Sequence, residues 1–195
     1  RPRGAAFFKD VLTRPVVGRL IVLSFLATFV FAGLESTFAM WSRRQFGWGP
    51  EQNGYLFAGI GLLSALIQGG LVGRLARHFG ERGLIIQGAA ALAVGMLLIP
   101  FADTVPMLVF AMAITAYGFS VISPGLNSAI SLAAGEDEQG GVMGVTRSAT
   151  TMSRALGPAW AGFIFGLIGK DAPYFVGAAV MAVVVVLAFG VARPR

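Results

Sequence analysis

The chain has no cysteine, so it can build no disulfide framework and offers no thiolate to a metal. It has one histidine, His78, which with the scattered acids around it makes no zinc cluster, and no metal site is expected. Charge is also scarce: 12% of residues are Asp, Glu, Lys or Arg, about half the share of a soluble domain. With 56% hydrophobic residues, that scarcity excludes an ordinary soluble domain and indicates an integral membrane protein. The mean hydropathy of +0.76 agrees. A net charge of +6 would also suit a nucleic-acid binder. The basic residues, however, sit at the ends of apolar segments and not on one amphipathic face, so no nucleic-acid partner is expected. The chain starts at Arg1 and shows no signal-peptide pattern, and we read it as a fragment of a longer protein.

What the chain does have is long uncharged stretches. Residues 55–72 and 83–102 carry no charged side chain. Each is long enough to cross a ~30 Å hydrocarbon layer as a helix. Between them stands Gly73-Arg74-Leu75-Ala76-Arg77-His78-Phe79-Gly80-Glu81-Arg82. It reads as a short basic loop at a membrane surface. Gly73 and Gly80 bracket it, where a missing side chain permits a tight turn or a close helix approach. The apolar runs predict transmembrane helices at about 16–40, 51–76, 83–101, 107–133, 141–168 and 174–192. The expected fold class is an all-α membrane protein, with one six-helix domain over 15–195. Residues 1–14 form a linker before it, in which Ala5, Ala6, Phe7, Phe8, Val11 and Leu12 suit a short helix at the interface.

Polar residues within the runs fall on faces. Ser24, Thr28, Glu35 and Ser42 of helix one lie within about 40° of arc, a face that meets a cavity or another helix and not lipid. A loop over 41–53 follows, with Trp41 and Trp48 suited to an interfacial aromatic belt. Gly54, Gly61, Ser64 and Gln68 share one face of helix two, as a close helix contact requires. In helix four, Tyr117, Ser120, Pro124, Asn127, Ser128 and Ser131 lie within roughly 100°, and Pro124 is expected to kink the helix. Glu136, Asp137 and Glu138 precede helix five, where they complement its dipole. In helix five, Arg147, Thr151 and Arg154 share a face with Pro158, while Gly157, Pro158, Gly162 and Gly166 loosen or kink the outer half.

Six crossings put both ends on one side. That side would hold Arg1, Arg3, Lys9, Arg14, Arg19, Arg74, Arg77, Arg82, Arg193 and Arg195, against Arg43, Arg44 and Lys170 on the other. The positive-inside rule then makes both ends cytoplasmic. The helices also repeat in character with a period of three. One and four carry polar stripes, two and five are punctuated by glycine, and three and six are the most apolar. A 3+3 inverted repeat would give this pattern.

Two sets of residues carry a family resemblance. Gly73, Leu75, Phe79, Gly80 and Arg82 resemble the G-x-L-x-D-R-x-G-R-R loop signature of the major facilitator superfamily. Arg77 stands at the family's acidic position and Glu81 at a basic one, so this is the weaker copy found in the second half of such transporters. An ordinary positive cytoplasmic turn explains the same residues. The second set is Gly118, Ser123, Pro124, Asn127 and Ser131, then Gln139, Gly140, Gly144, Ser148, Arg154, Leu156, Gly157, Pro158 and Gly162. This series resembles the second half of drug:proton antiporters of the tetracycline-efflux-like branch. The resemblance implies a C-terminal six-helix half of a twelve-helix transporter, with the N-terminal half of the same polypeptide as partner. It further implies proton-coupled efflux of a small organic molecule by alternating access, in a bacterial inner membrane. No cofactor is implied, the proton gradient supplying the energy. In that fold the first helix of each triplet lines the cavity, the second meets the other half and the third faces lipid.

The candidate substrate and proton residues are Glu35, Arg147, Arg154, Tyr117, Ser120, Asn127, Ser128 and Gln68. An ionised Glu35 within a bilayer is costly, so a cavity-facing carboxylate is suited to exchange a proton or pair with a cationic substrate. Alternatively it reaches interfacial water or Arg43. Arg154 lies about two turns, ~10 Å, deeper than Arg147 and needs a carboxylate, a carbonyl or an anionic substrate group. Glu35 is expected nearer the opposite surface, so no direct Glu35–Arg154 salt bridge is expected. The polar stripe of helix four either bonds substrate or bonds neighbouring helices. An enzyme is excluded because there is no convergent nucleophile, base or metal set. A solute importer, or a non-transporting receptor or scaffold of the same fold, remains the competing function.

Overall fold

Proline and glycine set most of the helix ends. A computed structural model describes residues 4–191. Arg1, Arg3, Arg193 and Arg195 of the charge count lie outside the described residues. The described chain is helical throughout, in seven α-helices with short turns between them. They are α1 (Ala5–Thr13), α2 (Pro15–Phe46), α3 (Pro50–Leu66), α4 (Val72–Leu98), α5 (Val105–Ala133), α6 (Gln139–Leu167) and α7 (Ala172–Phe189). A π turn at Ile67–Leu71 joins α3 to α4, and a 3-10 turn at Ile99–Phe101 extends α4.

Helix α2 begins with Pro15 in its first turn, where a missing N–H costs nothing. It runs to Phe46, six residues beyond the expected end at Met40, and stops because Gly47 adopts a left-handed φ of 68°. The expected loop over 41–53 thus shrinks to three residues, 47–49. Arg43 and Arg44, which read as loop residues, lie in the last turn and complement the helix dipole. Trp41 does not sit in an interfacial belt. It is fully buried, and its Nε1 donates to Asp171 Oδ1 at 2.8 Å, tying the end of α2 to the start of α7.

The basic segment is not a loop. Residues 72–98 are helical except at Gly80, which has φ 71° and ψ 177°. Only a residue without Cβ adopts that φ cheaply. Gly73 brackets no turn: it is helical, and a side chain added there would meet nothing within 4 Å. The run Pro50–Phe101 is 52 residues long, or ~78 Å as a straight helix, more than twice the hydrocarbon thickness. The break at Gly80 divides it.

Among the described residues, four segments are long and apolar enough to cross a membrane: Pro15–Phe46, Pro50–Phe101, Val105–Ala133 and Ala172–Phe189. Helix α6 falls short because one side of it is polar, with Thr146, Arg147, Thr150 and Arg154 among its residues. Helices α5 and α6 each continue through their internal proline, Pro124 and Pro158.

Two pairings organise the packing. Helix α6 lies along α2, and α4 lies along α5 with α7 behind it. The α4–α5 contact is close enough to touch backbone. A Cβ on Gly118 would come within 2.6 Å of the Leu92 nitrogen and 2.7 Å of the Gly88 carbonyl oxygen. Helix α3 buries only Asn53 and Leu56 of its own residues. Its Gly54 and Gly61 meet no atom within 4 Å, so the expected close contact on that face is not made within the described residues.

The segment before α2 is a packed helix. Val11 of α1 is fully buried, and Arg14, at the elbow to α2, bridges Asp10 Oδ2 and Glu138 Oε2 at 2.7 Å each. Hydrogen bonds to these two carboxylates hold the Arg14 guanidinium even more firmly charged than usual. Arg14→Gln is therefore expected to loosen α1. Hydrogen–deuterium exchange should quicken across residues 5–13 while α4 and α5 keep their protection.

Candidate functional site

A cleft of about 220 Å³ opens between α2, α5 and α6. Helical spacing brings its lining together. Phe119, Ser123 and Asn127 stand four residues apart on one face of α5. Met143, Arg147, Thr150 and Arg154 do the same on α6, at spacings of four, three and four. Thr146 of α6 and Thr28 of α2 complete the wall. Phe119 stacks on Phe31 of α2 with ring centroids 4.0 Å apart, which closes one side with apolar surface.

The seam between α2 and α6 sets the depth of the charged groups. A Cβ on Gly157 would lie 2.6 Å from the Phe29 carbonyl oxygen, so α6 approaches α2 backbone to backbone there. Gly157 thus permits this approach. Gly162, by contrast, meets nothing within 4 Å. Arg154, just before this contact, comes within 4.0 Å of Glu35, measured from Nη1 to Oε2. This ion pair corrects the expectation that the two would not meet. The reason is the length of α2: with its end at Phe46, Glu35 lies three turns inside the helix and not near its end.

At 4.0 Å the pair is an electrostatic contact and not a hydrogen bond. Both partners remain accessible, Arg154 at 56% and Glu35 at 44%. Arg147 lines the same cleft and has no ion-pair partner among the described residues. Two guanidiniums line the cleft and one carboxylate, Glu35, stands beside one of them, so the site is net positive. The hydroxyls of Thr146 and Thr150 donate back to carbonyls of their own helix, Val142 at 2.9 Å and Arg147 at 3.1 Å. The Ser24 hydroxyl, one turn before Thr28, is buried without a hydrogen-bond partner among the described residues.

The polar stripe of α5 divides between two neighbours. Asn127 belongs to the cleft. Tyr117 turns to α4 and donates to Gln87 Oε1 at 3.0 Å, and Ser128 donates to Glu81 Oε1 at 3.2 Å. Those two hold helices together. Ser120 is buried. Gln68 is exposed in the π turn and takes no part in the cleft. Its face cannot be read at 100° per residue, because a π turn advances less per residue than an α-helix. Arg74 and Arg77 are exposed on α4, and Arg82 donates to the Phe189 carbonyl at 2.8 Å. Ser123, Thr146 and Thr150 are cleft residues that the stripe analysis passes over. Their signal is the four-residue register with Asn127 and Arg154.

Three comparisons bear on this arrangement. The family model described as Major Facilitator Superfamily matches residues 20–195. The chain is 30% identical over 176 residues to mouse "Major facilitator superfamily domain-containing protein 10", covering 90% of this chain and 38% of that protein. It is 26% identical over 178 residues to the class D tetracycline resistance protein of Salmonella ordonez, covering 90% of this chain and 45% of that one. It resembles the crystal structure of the human organic anion transporter MFSD10 (TETRAN) with a TM-score of 0.80 and 28% identity, covering 96% of this chain and 42% of that chain. The chain thus spans less than half the length of each of these relatives.

Proposed function

This chain belongs to the Major Facilitator Superfamily, an integral membrane family of transporters and not of enzymes, and from that premise we propose that it is the C-terminal half of a secondary transporter for small organic molecules. Six crossings form two triplets, and the N-terminal half of the same polypeptide closes the other side of the cleft. The share of the relatives that the chain spans, 38% to 45%, is consistent with half a molecule. Helices α2 and α5 both contribute to the cleft, as the first helices of two inverted triplets would. The thinly packed, glycine-bearing face of α3 is available to the other half. We take the membrane to be a bacterial inner membrane with both ends of the chain cytoplasmic, a reading supported by the basic residues of α4 and the bacterial relative.

The observation that carries this reading is the cleft itself, where Arg147 and Arg154 stand among Thr28, Ser123 and Asn127, with Glu35 beside Arg154. Its net positive lining suits a substrate with an anionic group, which a guanidinium binds through two parallel donors. Glu35 serves as the proton carrier: it releases its proton on the cytoplasmic side before the anion binds Arg154 and takes another on the outer side after the anion has left, so that the two loads alternate. Alternating access then couples proton entry to substrate exit.

The test uses the full-length protein in proteoliposomes with fluorescein as the anionic probe. An imposed pH gradient should drive fluorescein against its concentration, and a protonophore should abolish the flux. Flux that persists with the protonophore removes the proton coupling. No flux of fluorescein or of a panel of organic anions and cations, from protein that is folded and inserted, favours a non-transporting scaffold.

A further inference from the structure

Where the break at Gly80 meets the C-terminal turn of α7, a second cavity of about 580 Å³ opens, separate from the cleft. Two side chains that line it hold buried donors with no acceptor among the described residues, Arg82 Nε and Gln87 Nε2. The rest of each side chain is already engaged. Arg82 Nη2 donates to the Phe189 carbonyl at 2.8 Å, and Gln87 Oε1 accepts from Tyr117 at 3.0 Å. Buried donors without acceptors are rare and costly. A guanidinium nitrogen has no alternative role, since the group contains no acceptor.

An occupant that brings an acceptor would satisfy both once the side chains turn toward it, and the surrounding charge says of which sign. Residues 74–82 contain Arg74, Arg77, His78 and Arg82 against one acid, Glu81. The Glu81 carboxylate already accepts from Ser128. The rest of the wall is apolar: Phe79, Ile86 and Phe189 line the same space. Phe79 is 53% exposed and Phe189 58%, large apolar surfaces at the mouth of a polar cavity.

We propose that this cavity holds the phosphodiester of an anionic phospholipid, its oxygens accepting from the Arg82 guanidinium and the Gln87 amide once these side chains turn toward it, with an acyl chain against Phe79 and Phe189. Arginine binds phosphate through short charge-assisted bonds, and basic pockets among transmembrane helices take lipid headgroups by this chemistry. The lipid would join α4 to the end of α7, the two elements that Arg82 already links. The site does not depend on what the cleft transports.

Full-length protein in detergent tests this by native mass spectrometry with three probes: dioleoyl phosphatidylglycerol, dioleoylglycerol and inorganic phosphate. Phosphatidylglycerol should be retained where dioleoylglycerol is stripped. Its affinity should fall about tenfold in Arg82→Gln and in Gln87→Leu. In Arg74→Gln, an exposed neighbour, it should stay within about twofold. If Arg82→Gln does not fold, Gln87→Leu carries the same reading. Equal retention of dioleoylglycerol would reduce the site to apolar filling and overturn the proposal. Inorganic phosphate bound as tightly as the lipid would make it a free-anion site and overturn the lipid. A loss in Arg74→Gln equal to that in Arg82→Gln would mean diffuse attraction, and no retention of phosphatidylglycerol would mean that the other half of the protein fills the space; both overturn it.

Discussion

Arg154→Ala in the full-length protein is expected to slow transport about 100-fold while membrane abundance changes less than about twofold. The two effects separate because they draw on different interactions. The Glu35–Arg154 contact is long, at 4.0 Å, and both groups are about half accessible. An ion pair of that kind contributes ~1 kcal/mol or less to stability. A guanidinium holding a substrate anion makes charge-assisted bonds of about 1.5–3 kcal/mol each. Two such bonds account for the larger loss. Arg154→Lys should recover part of the rate, since it keeps the charge but loses the two-pronged donor geometry. Glu35→Gln has a different signature: residual flux should no longer respond to an imposed pH gradient. Initial-rate assays in proteoliposomes read all three variants. If Arg154→Ala protein fails to accumulate in the membrane, the side chain is structural and the cleft loses its main binding group.

Gly118→Leu is expected to destabilise the α4–α5 pair strongly. The first atom of any side chain at this position meets backbone, the Leu92 nitrogen at 2.6 Å and the Gly88 carbonyl oxygen at 2.7 Å. Backbone cannot rotate aside as a flexible side chain can, so the two helices must separate. Overpacking of this kind costs about 3 kcal/mol or more. Folded protein should fall several-fold in a detergent-extraction assay, and its thermal midpoint should drop by several degrees. Gly61→Ala, where no atom of the described chain lies within 4 Å, is the control within this half. A Gly118→Leu protein with unchanged midpoint would mean that α4 and α5 do not pack as closely as described.

The helices are legible in the sequence because lipid demands uninterrupted apolar runs, and 55–72 and 83–102 stand out on that ground alone. Helix ends are less legible, since a single residue decides each one. Arg43 and Arg44 look like loop residues, yet α2 continues past them until Gly47 turns left-handed. Arg74 and Arg77 look like a loop for the same reason, and only Gly80 leaves the helix. In the cleft, Arg147, Arg154 and Glu35 are legible because a charge in an apolar run needs an explanation. Ser123, Thr146 and Thr150 are not, because a mid-helix hydroxyl can bond its own helix, as Thr146 and Thr150 do. The meeting of Glu35 with Arg154 depends on how α2 and α6 are set against each other. That is fixed by the backbone contact at Gly157, which no periodicity within one helix reveals.

The π turn at Ile67–Leu71 holds one residue more than an α-helix needs for the same rise. Removing one residue from 68–70 would let the ladder close in the ordinary way. Arg74, Arg77 and Phe79 would keep nearly their present bearing, because five residues of π turn sweep about the same angle as four of α-helix. The turn thus absorbs a one-residue difference in length, and the basic side chains beyond it keep their direction on an otherwise unchanged scaffold.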